Sequence, residues 1–107
     1  MAIIEVSIVP VGTGTASVSE YVASAVAIVK AEPDITYELT AMGTIIEGEL
    51  DRLLSLAGRM HRSALEAGVP RVVTTVKIDE RWDKVATMSH KVESVKKRLD
   101  VKGPKPD

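Results

Sequence analysis

The sequence places one carboxylate between apolar residues and a glycine. Glu47 lies in the stretch AMGTIIEGEL (41–50), directly after Ile45 and Ile46. A core strand would not need this carboxylate, and a surface turn would not need the two isoleucines. One interpretation is electrostatic, because a carboxylate near the start of a helix gains ~0.3–1 kcal/mol from the macrodipole, although Glu49 would supply this more directly. The other is that Glu47 accepts hydrogen bonds from a ligand amine or balances a cationic ligand.

Further polar side chains occur next to the ends of predicted strands. Thr13 and Thr44 offer hydroxyls at such positions. Asp79 and Arg81 follow the last predicted strand. These two either pair with each other, which is worth under ~1 kcal/mol at a surface, or Asp79 faces a ligand. Trp82 either closes the edge of the core or stacks on a ligand ring.

Sequence motifs of catalysis and metal binding do not occur in this chain. There is no cysteine, which excludes a thiolate nucleophile, a disulfide and a thiolate metal site. The stretch VGTGTAS lacks the GK[ST] ending of a phosphate-binding loop, and no G-x-S-x-G is present. His61 lies on an apolar helical stripe far from His90, which favours a hydrogen-bonded core residue over a metal ligand. We therefore expect a protein that is not an enzyme and that uses no cofactor or metal.

Composition limits the classes of binding partner and the cellular compartment that we expect. The chain has 107 residues, the size of one domain, and a formal net charge of -1. Without a basic field, and with only Tyr37 as an aromatic residue on the strands, we expect no nucleic-acid binding. No apolar run approaches the ~20 residues that span a bilayer. Because the N-terminus resembles a strand more than a signal peptide, we expect a cytoplasmic protein that does not bind membranes.

Seven secondary-structure elements are predicted to position these residues. Alternating polarity predicts strands over 3–9, 35–40, 44–47 and 71–79, and a helical period predicts three helices. Ser17 and Glu20 have the spacing of a capping box at the start of the first helix. The order is strand, helix, strand, strand, helix, strand and a further helix, which predicts an α+β, ferredoxin-like βαββαβ sandwich with an additional C-terminal helix. We assign residues 1–100 to this single domain and 101–107 to a flexible tail.

Two surfaces of the predicted fold are candidates for contact with a second subunit. The open face of the sheet would carry Glu5, Ser7, Val9, Thr36, Glu38, Thr40, Val73, Thr75 and Lys77. The last helix has apolar residues spaced three and four apart from Val85 to Leu99, as at a helix–helix contact. This seam packs either on the chain's own core or on a second subunit. We expect self-association through the open face or through the edges of the sheet. The alternative for the open face is that it is only solvated.

Four stretches of this sequence occur, in the same order and spacing, in one known family. They are IVPVGTGTASVSEYVASAV (8–26), MGTIIEG (42–48), HRSALEAGVPRVVTTVKIDER (61–81) and KVESV (91–95). On these stretches the chain resembles the small thiamine-binding proteins, also known as the UPF0045 or MTH1187/YkoF-like group. The resemblance implies a ferredoxin-like fold and a homotetramer built as a dimer of dimers. It also implies binding of thiamine, or of its hydroxymethylpyrimidine moiety, without turnover.

The resemblance also implies a ligand pocket. Carried over to this sequence, the pocket lies around Pro10, Gly12, Thr13, Thr44, Glu47, Asp79, Arg81 and Trp82. Glu47 would accept from the exocyclic amine of the pyrimidine, and either Thr44 or backbone groups would serve the ring nitrogens. Either a carboxylate such as Asp79 or an aromatic face would balance the thiazolium charge. With so few aromatic residues, Val or Ile side chains or a neighbouring subunit would have to enclose the ring. We expect Glu47→Ala to weaken binding sharply while the fold stays intact.

The resulting hypothesis is a non-catalytic, oligomeric binding protein that senses, buffers or delivers thiamine. Two alternatives stay open. One is an oligomeric ferredoxin-like enzyme, because this fold hosts catalysis on its open sheet face in other proteins. The other is a protein-interaction module that docks a partner through the seam of its last helix.

Overall fold

The computed structural model describes residues 1–83 and 87–102 of the chain. The elements are β1 (Ala2–Val11), α1 (Ser19–Lys30), β2 (Thr36–Leu39), β3 (Thr44–Gly48), α2 (Leu50–Glu66), β4 (Arg71–Glu80) and α3 (Met88–Lys102). This order confirms the predicted α+β sequence of elements. In the described part of the chain, no helix has the length and apolar character needed to cross a membrane.

The four strands form one antiparallel sheet in the order β2-β3-β1-β4. Strand β1 is central, and it pairs with β3 on one side and with β4 along its whole length on the other. This is the strand order of the ferredoxin-like sandwich, in which each helix connects two strands that are not neighbours. Alternation decides the two faces: Ile4 and Val6 of β1 point to the helices, whereas Glu5 and Ser7 point to the open face.

The core lies between the sheet and helices α1 and α2. Its members are aliphatic: Ala2, Ile4, Val6, Ala25, Val29, Ile35, Ile46, Leu53, Leu56, Ala57 and Met60. On α2, Leu54 and Leu65 are about 40% exposed, whereas Leu56 and Met60 are buried. The buried residues of α2 recur at intervals of three and four from Leu53 to Ala64, and this stripe is the one that meets the sheet.

Helices α1 and α2 begin with different capping interactions. The predicted capping box at Ser17 is wrong: α1 has Val18 at its N-cap and no side-chain cap. The loop satisfies its own polar groups instead, because the Ser17 N–H donates to the Thr15 hydroxyl at 3.2 Å. At α2 the Glu49 carboxylate accepts from the Arg52 N–H at 3.3 Å. Glu49, and not Glu47, therefore caps α2, as the sequence suggested.

Arg52 of α2 holds the loop between α1 and β2. It forms ion pairs with Glu32 and with Asp34, whose Oδ1 lies 2.9 Å from Arg52 Nη2. The hydrogen bond from Arg52 keeps the pKa of Asp34 below its usual value. A carboxyl group with a lowered pKa in the folded state stabilises the fold above its unfolded pKa, about 3.9 for Asp, and the contribution is lost as pH falls through the folded pKa.

We therefore expect the stability of Asp34→Asn to differ from wild type at neutral pH and to converge with it in acid. The difference in Tm should be present at about pH 6 and should shrink toward zero below roughly pH 3. Thermal unfolding across this range checks it. Glu66→Gln is the matched control, because Glu66 is exposed and forms no ion pair with the described residues. A gap for Asp34→Asn that stays constant down to pH 3 would contradict the role of its charge.

Helix α3 lies apart from α1 and α2. It reaches Lys102, so residues 103–107 of the predicted tail lie outside the described residues, as does Val85 of the predicted seam. The rest of the seam is largely open to solvent, with Val92, Val95 and Leu99 exposed by 46%, 57% and 61%. The seam does not pack on the core of its own chain.

Candidate functional site

A recess opens between the sheet and the N-terminal half of α1. Its lining consists of Val6, Ser7, Ile8, Val18, Val22, Ala25, Leu39, Thr40, Ala41, Met42, Gly43, Thr44 and Met60. We call it the hairpin cavity, because the turn between β2 and β3 forms one of its walls. Its volume is about 280 Å³. Residues from β1, α1, β2, β3 and α2 therefore meet around one small apolar space.

Thr44 supplies a polar group to this cavity. It is the first residue of β3, and it pairs with Val6 on the face of the sheet that carries the helices. The residue is only 3% exposed. Its hydroxyl has no hydrogen-bond partner among residues 1–83 and 87–102. Among the described residues the fully buried side-chain atom without a partner is Arg52 Nε, so the Thr44 oxygen keeps access to the cavity and can bond to a molecule there.

The turn at 40–43 is held tightly against β1. The Thr40 hydroxyl donates to the Gly43 carbonyl oxygen at 2.9 Å and accepts from the Gly43 N–H at 3.1 Å. A Cβ atom on Gly43 would lie 2.9 Å from the carbonyl oxygen of Val6. Glycine therefore lets the turn approach β1 closely and form the wall of the hairpin cavity.

Glu47 points to the other face of the sheet. It lies beside Ile3 of β1 and is 9% exposed. Its Oε2 accepts from the backbone N–H of Met88, the first residue of α3, at 2.9 Å. Thr87 caps the same helix by accepting from the His90 N–H at 3.0 Å. The carboxylate thus stabilises the N-terminus of α3, a different helix from the one that directly follows it in sequence.

Asp79 lies in the same row of the open face, because Ile3 pairs with both Glu47 and Asp79. It forms an ion pair with Lys91 of α3. The first of the two alternatives for Asp79, an ion pair with Arg81, is wrong. The Arg81 guanidinium instead donates to Asp83, with Nε 2.9 Å from Oδ1. This hydrogen bond raises the pKa of Arg81.

A second recess lies between α3 and the edge of the sheet. It is lined by Thr36, Tyr37, Glu38, Glu47, Met88, Ser89, Val92, Glu93 and Lys96, and its volume is about 340 Å³. We call it the α3 groove. Three carboxylates reach it, and its one lysine lies 3.9 Å from Glu93. The groove is therefore acidic and more polar than the hairpin cavity.

The remaining predicted site residues lie elsewhere. Pro10 and Gly12 are at the far end of β1, where Pro10 pairs with Val72 of β4. The Thr13 hydroxyl donates to the Thr15 carbonyl oxygen at 2.7 Å. None of these three lines either recess. Trp82 is 91% exposed, so it does not close the edge of the core.

The structure thus separates the eight predicted residues. Thr44 lies in the hairpin cavity, and Glu47 lines the α3 groove with Asp79 in the same row of the sheet. Pro10, Gly12 and Thr13 lie at the opposite end of β1, and Arg81 and Trp82 directly follow β4. The sequence reasoning did not identify Val18, Val22 and Met42 as cavity residues. A signal for them was present, because they fall within the stretches 8–26 and 42–48 that carry the family resemblance.

His61 has the structural role expected from its position on α2. Its Nδ1 lies 2.7 Å from the hydroxyl of Thr74 on β4. Within the described ranges, no group of three or more His, Cys, Asp or Glu side chains could hold a metal ion.

Sequence and structure comparisons find proteins of similar length that resemble this chain. It is 46% identical over 102 residues to the UPF0045 protein YqgV of Bacillus subtilis. The matched residues cover 92% of this chain and 98% of that protein. The solved structure of MJ1052 from Methanocaldococcus jannaschii matches with a TM-score of 0.81 at 44% identity, over 88% of this chain and 94% of that one. A domain of unknown function from Bacillus cereus matches with a TM-score of 0.76 at 33% identity, over 85% and 86% of the two chains.

A family model described as thiamine-binding protein matches residues 4–96 of this chain. The match covers β1 to β4 and most of α3, so it includes both recesses. With the close relatives and the shared fold, it establishes that the chain belongs to the thiamine-binding protein family.

Proposed function

We propose that this protein binds thiamine or its hydroxymethylpyrimidine moiety, with the pyrimidine ring in the hairpin cavity and without chemical turnover. The observation that carries the proposal is the Thr44 hydroxyl: the residue is only 3% exposed, the hydroxyl lacks a partner in the described chain, and it faces a largely apolar cavity. A ring nitrogen or the exocyclic amine of an aminopyrimidine would satisfy that hydroxyl. Such a neutral hydrogen bond contributes about 0.5–1.5 kcal/mol.

The size and walls of the cavity support a single ring. Small-molecule sites commonly have about 300–1,000 Å³, and the hairpin cavity, at about 280 Å³, lies just below this range. Its walls are aliphatic, with Ile8, Val22 and Leu39 among them. Such side chains would enclose an aromatic ring by area burial in place of ring stacking, because no aromatic side chain of the described residues lines the cavity.

The second ring of thiamine also has a place. A wider apolar groove between α1 and β2, of about 700 Å³, shares Val18, Val22, Leu39 and Thr40 with the hairpin cavity. We call it the outer groove. With the pyrimidine in the cavity, the thiazolium would extend along this groove toward solvent. A cation at that position keeps part of its hydration, so it does not require a buried counter-charge.

The α3 groove is the alternative place for the same ligand. Its carboxylates Glu38, Glu47 and Glu93 would favour a cationic thiazolium. One oxygen of Glu47 already accepts from the Met88 N–H, so a ligand amine would share or displace the N-terminus of α3. The hairpin cavity requires no such displacement, and for this reason we place the ring there.

The biological setting follows from the same proposal. A binding protein without turnover would sense, buffer or deliver the vitamin in the cytoplasm. The exposed seam residues Val92, Val95 and Leu99 support self-association, because solvent-exposed apolar seams on helices commonly pack on a partner. We propose a homotetramer in which the seam and the open face of the sheet are buried.

Thr44→Val tests the location of the ring. Valine has the shape of threonine without the hydroxyl, so the fold should be retained while one ligand hydrogen bond is lost. A neutral hydrogen bond of about 0.5–1.5 kcal/mol corresponds to a Kd about 3- to 10-fold weaker. Calorimetric titration of hydroxymethylpyrimidine into ligand-free protein measures this change.

Glu47→Gln is the matched comparison, because its amide oxygen still accepts from the Met88 N–H. Affinity should stay within about twofold of wild type if the ring occupies the hairpin cavity. The reverse pattern, with Glu47→Gln weak and Thr44→Val normal, would move the ligand to the α3 groove. Absence of binding by the wild-type protein would refute the proposed function.

A further inference from the structure

We propose that the hairpin cavity accepts the free alcohol of the hydroxymethylpyrimidine and discriminates against its phosphate ester. This inference rests on the proposed function and specifies the chemical class of the ligand. The observation behind it is that every residue of the lining is uncharged. Within the described chain, no Lys, Arg or His side chain reaches this space.

Charge is decisive because of where the phosphate would be. In thiamine the methylene on the pyrimidine carries the thiazolium, so in the ester the same methylene carries the phosphate at the mouth of the cavity. The mouth is formed by uncharged residues such as Val18, Leu39 and Met42. A phosphate monoester has a charge between -1.5 and -2 at neutral pH, and such a charge is costly to desolvate without a counter-charge.

Two features near the mouth could attract an anion, and neither is sufficient. Lys30 lines the outer groove but lies at the other end of α1, roughly 16 Å along the helix axis from Ser19. The N-terminus of α1 lacks a side-chain cap, and its dipole favours negative charge. Glu20 already places a carboxylate in that first turn, and it would repel a phosphate.

The inference gives the protein a place relative to one class of reaction. A site that takes the alcohol and rejects the ester would hold this compound before phosphoryl transfer to its primary hydroxyl. It would release the compound once that transfer had occurred. The protein would therefore act upstream of a kinase-type step and not downstream of it.

Titration of the alcohol and of its phosphate ester into wild-type protein at about pH 7.5 tests the inference. We expect the ester to bind at least about tenfold more weakly than the alcohol. Equal affinity would overturn the inference while the proposed function stands. If neither the alcohol nor thiamine binds, the proposed function fails, and the inference fails with it.

A variant with an added charge separates electrostatics from shape. Met42 lies in the turn, lines the cavity and is 80% exposed, so Met42→Lys brings an ammonium group to the mouth. The ratio of ester to alcohol affinity should rise by about tenfold in this variant. Met42→Gln, of similar length without charge, should keep the wild-type ratio. An unchanged ratio in Met42→Lys would show that charge is not the basis of the discrimination.

Discussion

Val22→Phe is expected to eliminate measurable binding of thiamine and hydroxymethylpyrimidine, with affinity at least about 100-fold weaker than wild type. Val22 lies on α1 and lines the hairpin cavity. A phenyl ring at this position would project into the cavity of about 280 Å³ and take space that the ligand ring would use. Filling an empty apolar space need not destabilise the fold, because cavities themselves cost stability. Titration calorimetry for binding and thermal unfolding for stability measure the two effects separately.

Val26→Phe is the control for this prediction. Val26 lies one helical turn further along α1 and lines the outer groove but not the hairpin cavity. The control should bind hydroxymethylpyrimidine with wild-type affinity, and any loss should be confined to thiamine, whose second ring extends into the groove. Normal binding of both compounds by Val22→Phe would place the site outside the hairpin cavity.

Gly43→Val is expected to lower the free energy of unfolding by about 1–3 kcal/mol, the usual cost of overpacking. Its Cβ would lie 2.9 Å from the Val6 carbonyl oxygen, which belongs to the central strand. A backbone atom in the middle of a sheet cannot move aside as a flexible side chain can. The turn must therefore shift away from β1, and the hydrogen bonds between Thr40 and Gly43 are lost or weakened. Urea denaturation measures the change.

Ala41→Val provides the comparison within the same turn. Ala41 is exposed, so its free energy of unfolding should stay within about 0.5 kcal/mol of wild type. If Gly43→Val is as stable as this control, the turn tolerates a side chain, and its close approach to β1 is not required for the wall of the cavity.

Much of the fold was readable from local patterns. The alternation in β1 correctly placed Ile4 and Val6 in the core and Glu5 and Ser7 on the open face. Element order was also decided locally, because strand and helix periods differ and glycine and proline mark the boundaries. The prediction for the start of α1 was wrong because the Thr15 hydroxyl accepts from the Ser17 N–H. A capping-box pattern does not anticipate this hydrogen bond within the loop.

The separation of Thr44 from Glu47 was also encoded in the sequence. Residues three apart in a strand point to opposite faces, because the side-chain period is two. This parity already argues against a single pocket that uses both side chains. The family resemblance grouped them because it follows the order of motifs and not the geometry of the strand.

The sequence by itself therefore determined the elements, the two faces of the sheet and the aliphatic character of the core. Only the tertiary structure decided that Glu47 contacts α3 through Met88, and that β1, α1, the turn at 40–43 and α2 enclose one cavity around Thr44. The physical reason is the separation, along the sequence, of the residues that interact. Period, capping and turn chemistry act over a few residues, whereas the contact between Glu47 and Met88 joins residues 41 apart and the cavity joins segments from Val6 to Met60. Their partners depend on strand order and helix packing, which no local pattern specifies.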